Sequence, residues 1–115
     1  MDMTERILPY TKQLVIFALY DVIEQEHGRY QRDGQSDDII ADLFVYGNQI
    51  GFTVHIRERP PGTELTVDVT RPCEGLSEQG RHRAADYLAD RVEQLLENEL
   101  KINALLKAKQ GGKQP

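Results

Sequence analysis

The chain has 115 residues, 39% hydrophobic and 29% charged, which is typical of one soluble domain with a core large enough to fold without a metal or a disulfide. Its net charge of −5 argues against nucleic acid as a partner, because nucleic-acid affinity depends mainly on neutralising phosphates. A single cysteine excludes an internal disulfide. The start "MDMTERILPY" lacks signal-peptide features, and the longest apolar run, "LVIFALY", is too short to span a bilayer. We therefore expect a cytoplasmic protein that does not bind membranes.

The first predicted element is a helix over residues 9–27. Pro9 suits a first helical turn, and Gly28 suits the position just past a helix end. One face is apolar, and further apolar side chains, including Phe17, fall on the other side. A helix that is apolar on nearly all sides needs a second partner besides its own sheet. The polar stretch "GRYQRDGQSDD" that follows predicts a loop.

A three-stranded antiparallel meander is predicted next, over residues 39–71, from period-two patterning and two turn signals. A two-residue loop at Gly47-Asn48 pairs only apolar residues on one face: Val45 with Ile50, Leu43 with Phe52, Ala41 with Val54, Ile39 with Ile56. A turn over residues 59–62 pairs Ile56 with Leu65, Val54 with Val67 and Phe52 with Val69. The two turns agree on one buried face, which supports the meander.

The same register predicts the residues of the opposite face. Phe44 is expected across from Gly51, and Arg57 across from Glu64. One cross-strand row would contain Asp42, Thr53 and Asp68, and its neighbour would contain Ile40, His55 and Thr66. Two aspartates and a histidine suggest metal binding or acid–base chemistry, but the aspartates would be about 10 Å apart, so we expect a solvated sheet face and no metal.

A long helix over residues 77–106 is predicted last, with Ser77 as its N-cap. At 1.5 Å per residue it is about 45 Å long, so it overhangs strands of about 26 Å by several turns. That overhang carries Leu100, Ile102, Leu105 and Leu106, and exposed apolar residues on a protruding helix indicate a partner. The tail over residues 107–115 is Gly-rich and is expected to be disordered.

The predicted fold is therefore α+β, with two layers. Residues 1–106 form a single domain in the order helix, three-stranded antiparallel meander, long helix, with both helices on one face of the sheet. This order, in a small acidic chain, resembles that of small acidic dimeric chaperones of the secretion type. The resemblance is one of element order and composition, and no sequence motif carries it.

The segment "TRPCEGLSEQG" contains the only cysteine, at the junction of the last strand and the long helix. Arg71, Cys73, Arg81 and Arg83, with His82, suggest an anion or ligand site at the helix start. Against a nucleophilic Cys73, acidic residues flank it and no catalytic-cysteine motif is present. Against a shared anion site, residues 81–83 cannot all lie on one helical face, and no phosphate-binding loop accompanies them.

No catalytic residues or cofactors are predicted, because no known catalytic or dinucleotide-binding motif is present. Our first functional hypothesis is a non-enzymatic homodimeric adaptor that presents apolar helix or sheet surface to a protein partner. Its interface residues are expected to be Phe17, Phe44, Tyr46, Leu100, Ile102, Leu105 and Leu106. The alternative is a small-ligand or anion-binding protein, or an enzyme, that uses the arginines and Cys73 at the start of the last helix.

Overall fold

The structure is a computed structural model that describes the backbone of residues 3–113 and the side chains of residues 3–99. Its elements in chain order are β1 (Met3–Leu8), α1 (Lys12–Gln25), β2 (Arg29–Arg32), β3 (Ile39–Val45), β4 (Asn48–Arg59), β5 (Gly62–Arg71) and α2 (Glu78–Lys113). The predicted α+β class is confirmed. The predicted number of strands is wrong, since residues 3–113 contain five strands in one antiparallel sheet of order β1-β5-β4-β3-β2.

The two unpredicted strands, β1 and β2, lie at opposite ends of the sheet, outside the β3–β4–β5 meander. Neither has an alternating apolar pattern. In β1 the positions that face the helices include Thr4 and Arg6, and all four residues of β2 are exposed. Strands are predicted from apolar residues at every second position, and polar edge strands lack this pattern.

The β4–β5 hairpin has the predicted register. Ile56 pairs with Leu65, and Val54 with Val67. Arg57 is also opposite Glu64 as predicted, although the carboxylate of Glu64 forms its ion pair with Arg59.

The β3–β4 register is two residues away from the prediction. Val45 pairs with Asn48 rather than Ile50, so the two-residue loop is Tyr46-Gly47. Both loop residues have positive φ, 52° and 81°, as a type I′ hairpin turn requires, and glycine is favoured at the second position of that turn. A shift of two residues keeps the same face buried, because side chains alternate with period two.

Helix α1 is shorter than predicted, and its caps explain why. Thr11 is the N-cap, and its hydroxyl accepts a hydrogen bond from the backbone N–H of Leu14. At the other end, His27 adopts the left-handed conformation, and Gly28 donates back to the carbonyl of Ile23, as in a Schellman motif. Gly28 is needed for close approach, since a Cβ there would lie 2.4 Å from the carbonyl oxygen of Asp42.

Both helices pack on the same face of the sheet and share one core. Its helical members are Val15, Ala18, Leu19, Val22, Ile23, Ala84, Ala85, Leu88, Ala89, Val92 and Leu96; its strand members are Leu8, Ile39, Ala41, Leu43, Val45, Ile50, Phe52, Val54, Leu65, Val67 and Val69. The small side chains of α2 let this helix approach the sheet closely.

Polar contacts hold α2 on both of its flanks. On one side the guanidinium of Arg6 in β1 lies 2.8 Å from Asp90 and 3.1 Å from Glu93. On the other side the hydroxyl of Tyr87 donates to Glu26 at the end of α1 at 2.9 Å. Ser77 caps the helix by accepting from the backbone N–H of Gly80, and the helix continues to Lys113 rather than ending near Leu106.

Candidate functional site

Cys73 lies in the turn between β5 and α2, half-buried against the edge of the core. Its backbone carbonyl accepts a hydrogen bond from the N–H of Leu76, which shapes the turn before the Ser77 cap. Leu76 packs against the same core edge, so this turn helps to close the end of the domain.

Arg71 lies on the sheet face opposite the helices. Its side chain crosses Gly51, where an added Cβ would be 2.7 Å from it, and its guanidinium pairs with Asp42 at 3.0 Å. Arg83, in contrast, is on α2 beside the helix-facing side of the β3–β4 hairpin. The structure therefore does not bring Arg71 together with Arg83.

A cleft of about 250 Å³ lies between the β3–β4 hairpin and the first turns of α2. We call it the hairpin cleft; its lining residues are Val45, Tyr46, Asn48, Ile50, Leu76, Gly80, Arg83 and Ala84. Val45 and Ile50 are 1% and 2% exposed, so the floor of the cleft is the end of the core. Arg83 is exposed and has no ion-pair partner among the side chains of residues 3–99.

Two tyrosines meet beside the hairpin cleft. Tyr46 is 76% exposed, and its ring is tilted against that of Tyr87 with a centroid distance of 5.3 Å. Burial of Tyr87 and its hydrogen bond to Glu26 raise the pKa of its hydroxyl above the ordinary value, so it stays a neutral donor. The guanidinium of Arg91 lies 3.4 Å from the same Glu26 carboxylate, which holds α1, α2 and this tyrosine in one network.

The second notable surface is the sheet face that points away from both helices, which we call the open face. It carries three well-exposed apolar side chains, with Met3 39%, Ile7 59% and Phe44 48% exposed. Glu5 and Asp68 on this face, and Arg29 and Arg57, have no ion-pair partner in the described part of the chain. The open face is thus mixed, with apolar residues among charges of both signs.

The predicted cross-strand rows of the open face change with the register. Asp42 is opposite Gly51, while Thr53 lies between Ile40 and Asp68. His55 remains beside Thr66, but its Nδ1 lies 2.7 Å from the carboxylate of Asp38. Phe44 is opposite Gln49 rather than Gly51. Within residues 3–99 no group of three His, Cys, Asp or Glu side chains is arranged to hold a metal ion.

The predicted interface residues that the structure describes are exposed. Phe17 is 53% exposed on the outer side of α1, near the 42% exposed Leu14. Phe44 lies on the open face, and Tyr46 is at the hairpin tip. The side chains of Leu100, Ile102, Leu105 and Leu106 lie outside the described residues.

Sequence reasoning missed other residues of the hairpin cleft, notably Asn48 and Leu76. They come from a strand and from the turn before α2, so no spacing in the sequence connects them. The pair Tyr46-Gly47, with glycine at the second hairpin position, was the available signal for the loop.

No protein-family model matches the chain, and no curated protein matches it at a significant level of sequence similarity. None of the helices among the described residues is both long and apolar enough to cross a membrane.

Proposed function

We propose that this protein is a non-enzymatic homodimeric binding module that presents apolar surface to a protein partner. The observation that carries the proposal is the open face. No element of residues 3–99 covers it, and it exposes Met3, Ile7 and Phe44. Exposed apolar patches on a folded domain favour an interface.

The size of the open face suits a second copy of the chain. Five strands at about 4.8 Å spacing, with about seven residues each, give a footprint of about 24 by 23 Å. This approaches the area of about 800 Å² that each partner contributes to a stable interface. The continuation of α2 beyond Leu96, the last buried side chain among those described, would add contact area at one end.

The charges of the open face also suit self-association. Glu5 and Asp68 lie on β1 and β5, whereas Arg29 lies on β2 at the opposite edge. A two-fold axis parallel to the strands, between two sheets packed face to face, places the β1 edge of one copy over the β2 edge of the other. Such an isologous interface brings Asp68 of each copy, which is level with Gln31, toward Arg29 two residues further along β2 of its mate.

The test is the solution mass measured by light scattering. We expect twice the 13.2 kDa mass of the chain, and we expect Phe44→Asp to yield a monomer, because a carboxylate would be buried unpaired at the interface. Phe17→Asp is the matched control, since Phe17 is similarly exposed, 53% against 48% for Phe44, but lies on α1. A full-length protein that is monomeric at all concentrations contradicts the dimer, and dissociation by Phe17→Asp alone would move the interface to α1.

A chain that ends at Asn98 tests the role of the α2 continuation. This variant keeps Leu96 and every other side chain of the core, so we expect it to fold. A weaker dimer, measured as a lower mean mass at the same concentration, would show that the continuation contributes contact area. An unchanged dimer would mean that the open face alone forms the dimer interface. The helix continuation would then be available to the protein partner.

A further inference from the structure

We propose that the hairpin cleft binds a small organic monoanion, namely a carboxylate that carries a short apolar or aromatic group. This site is separate from the open face and goes beyond the proposed function, since it requires neither a dimer nor a protein partner. The cleft, at about 250 Å³, is smaller than the pockets of about 300–1,000 Å³ that hold drug-sized ligands, so the ligand is a small acid.

The apolar part of the ligand is specified by the floor and walls. Val45 and Ile50 are almost fully buried beneath the cleft, and Leu76 and Ala84 line its α2 side. Glycine at position 80 leaves room for the Leu76 side chain in the wall of the cleft, since a Cβ there would lie 2.7 Å from it. An apolar group placed here would extend the core of the protein.

The charge of the ligand is specified by Arg83. Among the arginines of this acidic chain, Arg6, Arg59 and Arg71 each pair with a carboxylate, whereas Arg83 has no such partner in residues 3–99. A guanidinium beside an apolar cleft favours a carboxylate, which it binds through two parallel hydrogen bonds. One unpaired cation at the cleft matches one negative charge on the ligand.

Tyr46 supports the assignment independently. It occupies a left-handed backbone conformation, with φ of 52°, at a hairpin position where Asn, Asp or Gly is usual. An aromatic residue at such a position is unfavourable for the backbone, and strained residues cluster at binding sites. This ring is 76% exposed and lines the cleft, so an apolar ligand would cover part of it.

Two other clefts are less suited to an anion. In the cleft on the open face that Arg29 and Arg71 line, Asp42 is part of the wall and repels a carboxylate. Beside α1, the cleft that contains Phe17 includes Arg32, but this guanidinium pairs with Asp37 at 3.0 Å. The hairpin cleft is lined by a cation and by no acidic residue.

The experiment is an NMR titration of the full-length ¹⁵N-labelled protein with phenylacetate, benzoate and hexanoate, and with the neutral phenylacetamide. We expect saturable shifts of the Asn48 and Gly80 backbone amides with at least one acid. Phenylacetamide should bind about fivefold more weakly than phenylacetate, because it cannot form the ion pair. Arg83→Gln should reduce phenylacetate affinity to that of the amide.

Arg57→Gln is the matched control, because Arg57 is also exposed and unpaired but lies on the open face. Equal affinity for phenylacetate and phenylacetamide would overturn the proposal, as would equal losses in the two arginine variants or no saturation by any acid at about 10 mM. Light scattering of Arg83→Gln separates the two proposals. An unchanged mass with lost binding supports the cleft alone, whereas a changed mass would mean that Arg83 belongs to the dimer interface.

Discussion

The loop between β3 and β4 has positive φ at two successive residues. The free-energy cost of this backbone conformation differs between the two. The cost of the left-handed conformation of Tyr46 is offset in part by the contact of its ring with that of Tyr87. Such aromatic pairs contribute about 0.5–1.5 kcal/mol. Gly47, at φ 81°, has no such contact and no heavy atom within 4 Å of the position of an added Cβ. Its role is therefore purely conformational.

We expect Gly47→Ala to lower the free energy of unfolding by about 1 kcal/mol, because alanine in the left-handed conformation is disfavoured by about that amount. Urea denaturation followed by circular dichroism measures the change. Gly34→Ala is the control, since Gly34 is also in open space but without a positive φ, and it should be neutral or slightly stabilising. Equal effects of the two substitutions would contradict the type I′ loop.

At the scale of elements, β1 is the strand that completes the sheet next to β5. Leu8 at its end is 1% exposed and belongs to the core, while its neighbour Ile7 points to the open face and is 59% exposed. Strand alternation thus places adjacent aliphatic residues in opposite environments.

Leu8→Ala should therefore lower the free energy of unfolding by about 3 kcal/mol through the lost burial and the resulting cavity. Ile7→Ala should cost less than about 1 kcal/mol when measured at a protein concentration low enough to exclude self-association. Thermal unfolding of the pair provides the comparison. A larger loss for Ile7 would mean that β1 pairs with β5 in a register shifted by one residue.

At the scale of the whole molecule, Arg6 joins the first strand to the last helix across more than 80 residues of sequence. Burial alone would lower the pKa of Arg6, but hydrogen bonds and charges from Asp90 and Glu93 raise it above its ordinary value. A raised folded-state pKa stabilises the fold below the unfolded value, so the contribution of Arg6 is present at every pH at which the free guanidinium is protonated.

Arg6→Gln should lower the free energy of unfolding by about 1 kcal/mol, because three carboxylates lose their shared cation. The loss should be the same at about pH 7 and about pH 9, since the charge of Arg6 does not change between them. Arg59→Gln is the control, because Arg59 is 65% exposed in its pair with Glu64, and it should change stability by less than about 0.5 kcal/mol. A loss that varied between these two pH values would assign the stabilisation to another titrating group.

The features that could be predicted from the sequence are those encoded by neighbouring residues. They include the α+β class, helix α1, the register of β4 and β5 around the Pro60-Pro61 turn, and the Ser77 cap. Each depends on a short-range rule, such as alternation, turn chemistry or capping. The first hairpin shows the limit of such rules, because the loops Tyr46-Gly47 and Gly47-Asn48 bury the same face and glycine suits both, so local rules do not choose between them.

Tertiary structure alone decided the rest. Strand β1 forms because Arg6 finds acidic partners on α2 and Leu8 enters the core, and neither partner is near in sequence. Arg71 and Arg83 lie on opposite sides of the sheet. Arg71 is on strand β5 and its side chain lies on the open face, whereas Arg83 is on helix α2 beside the hairpin cleft. The hairpin cleft exists because a strand hairpin and a helix start meet in space. Such long-range contacts leave no local pattern, so they become visible only when the chain is folded.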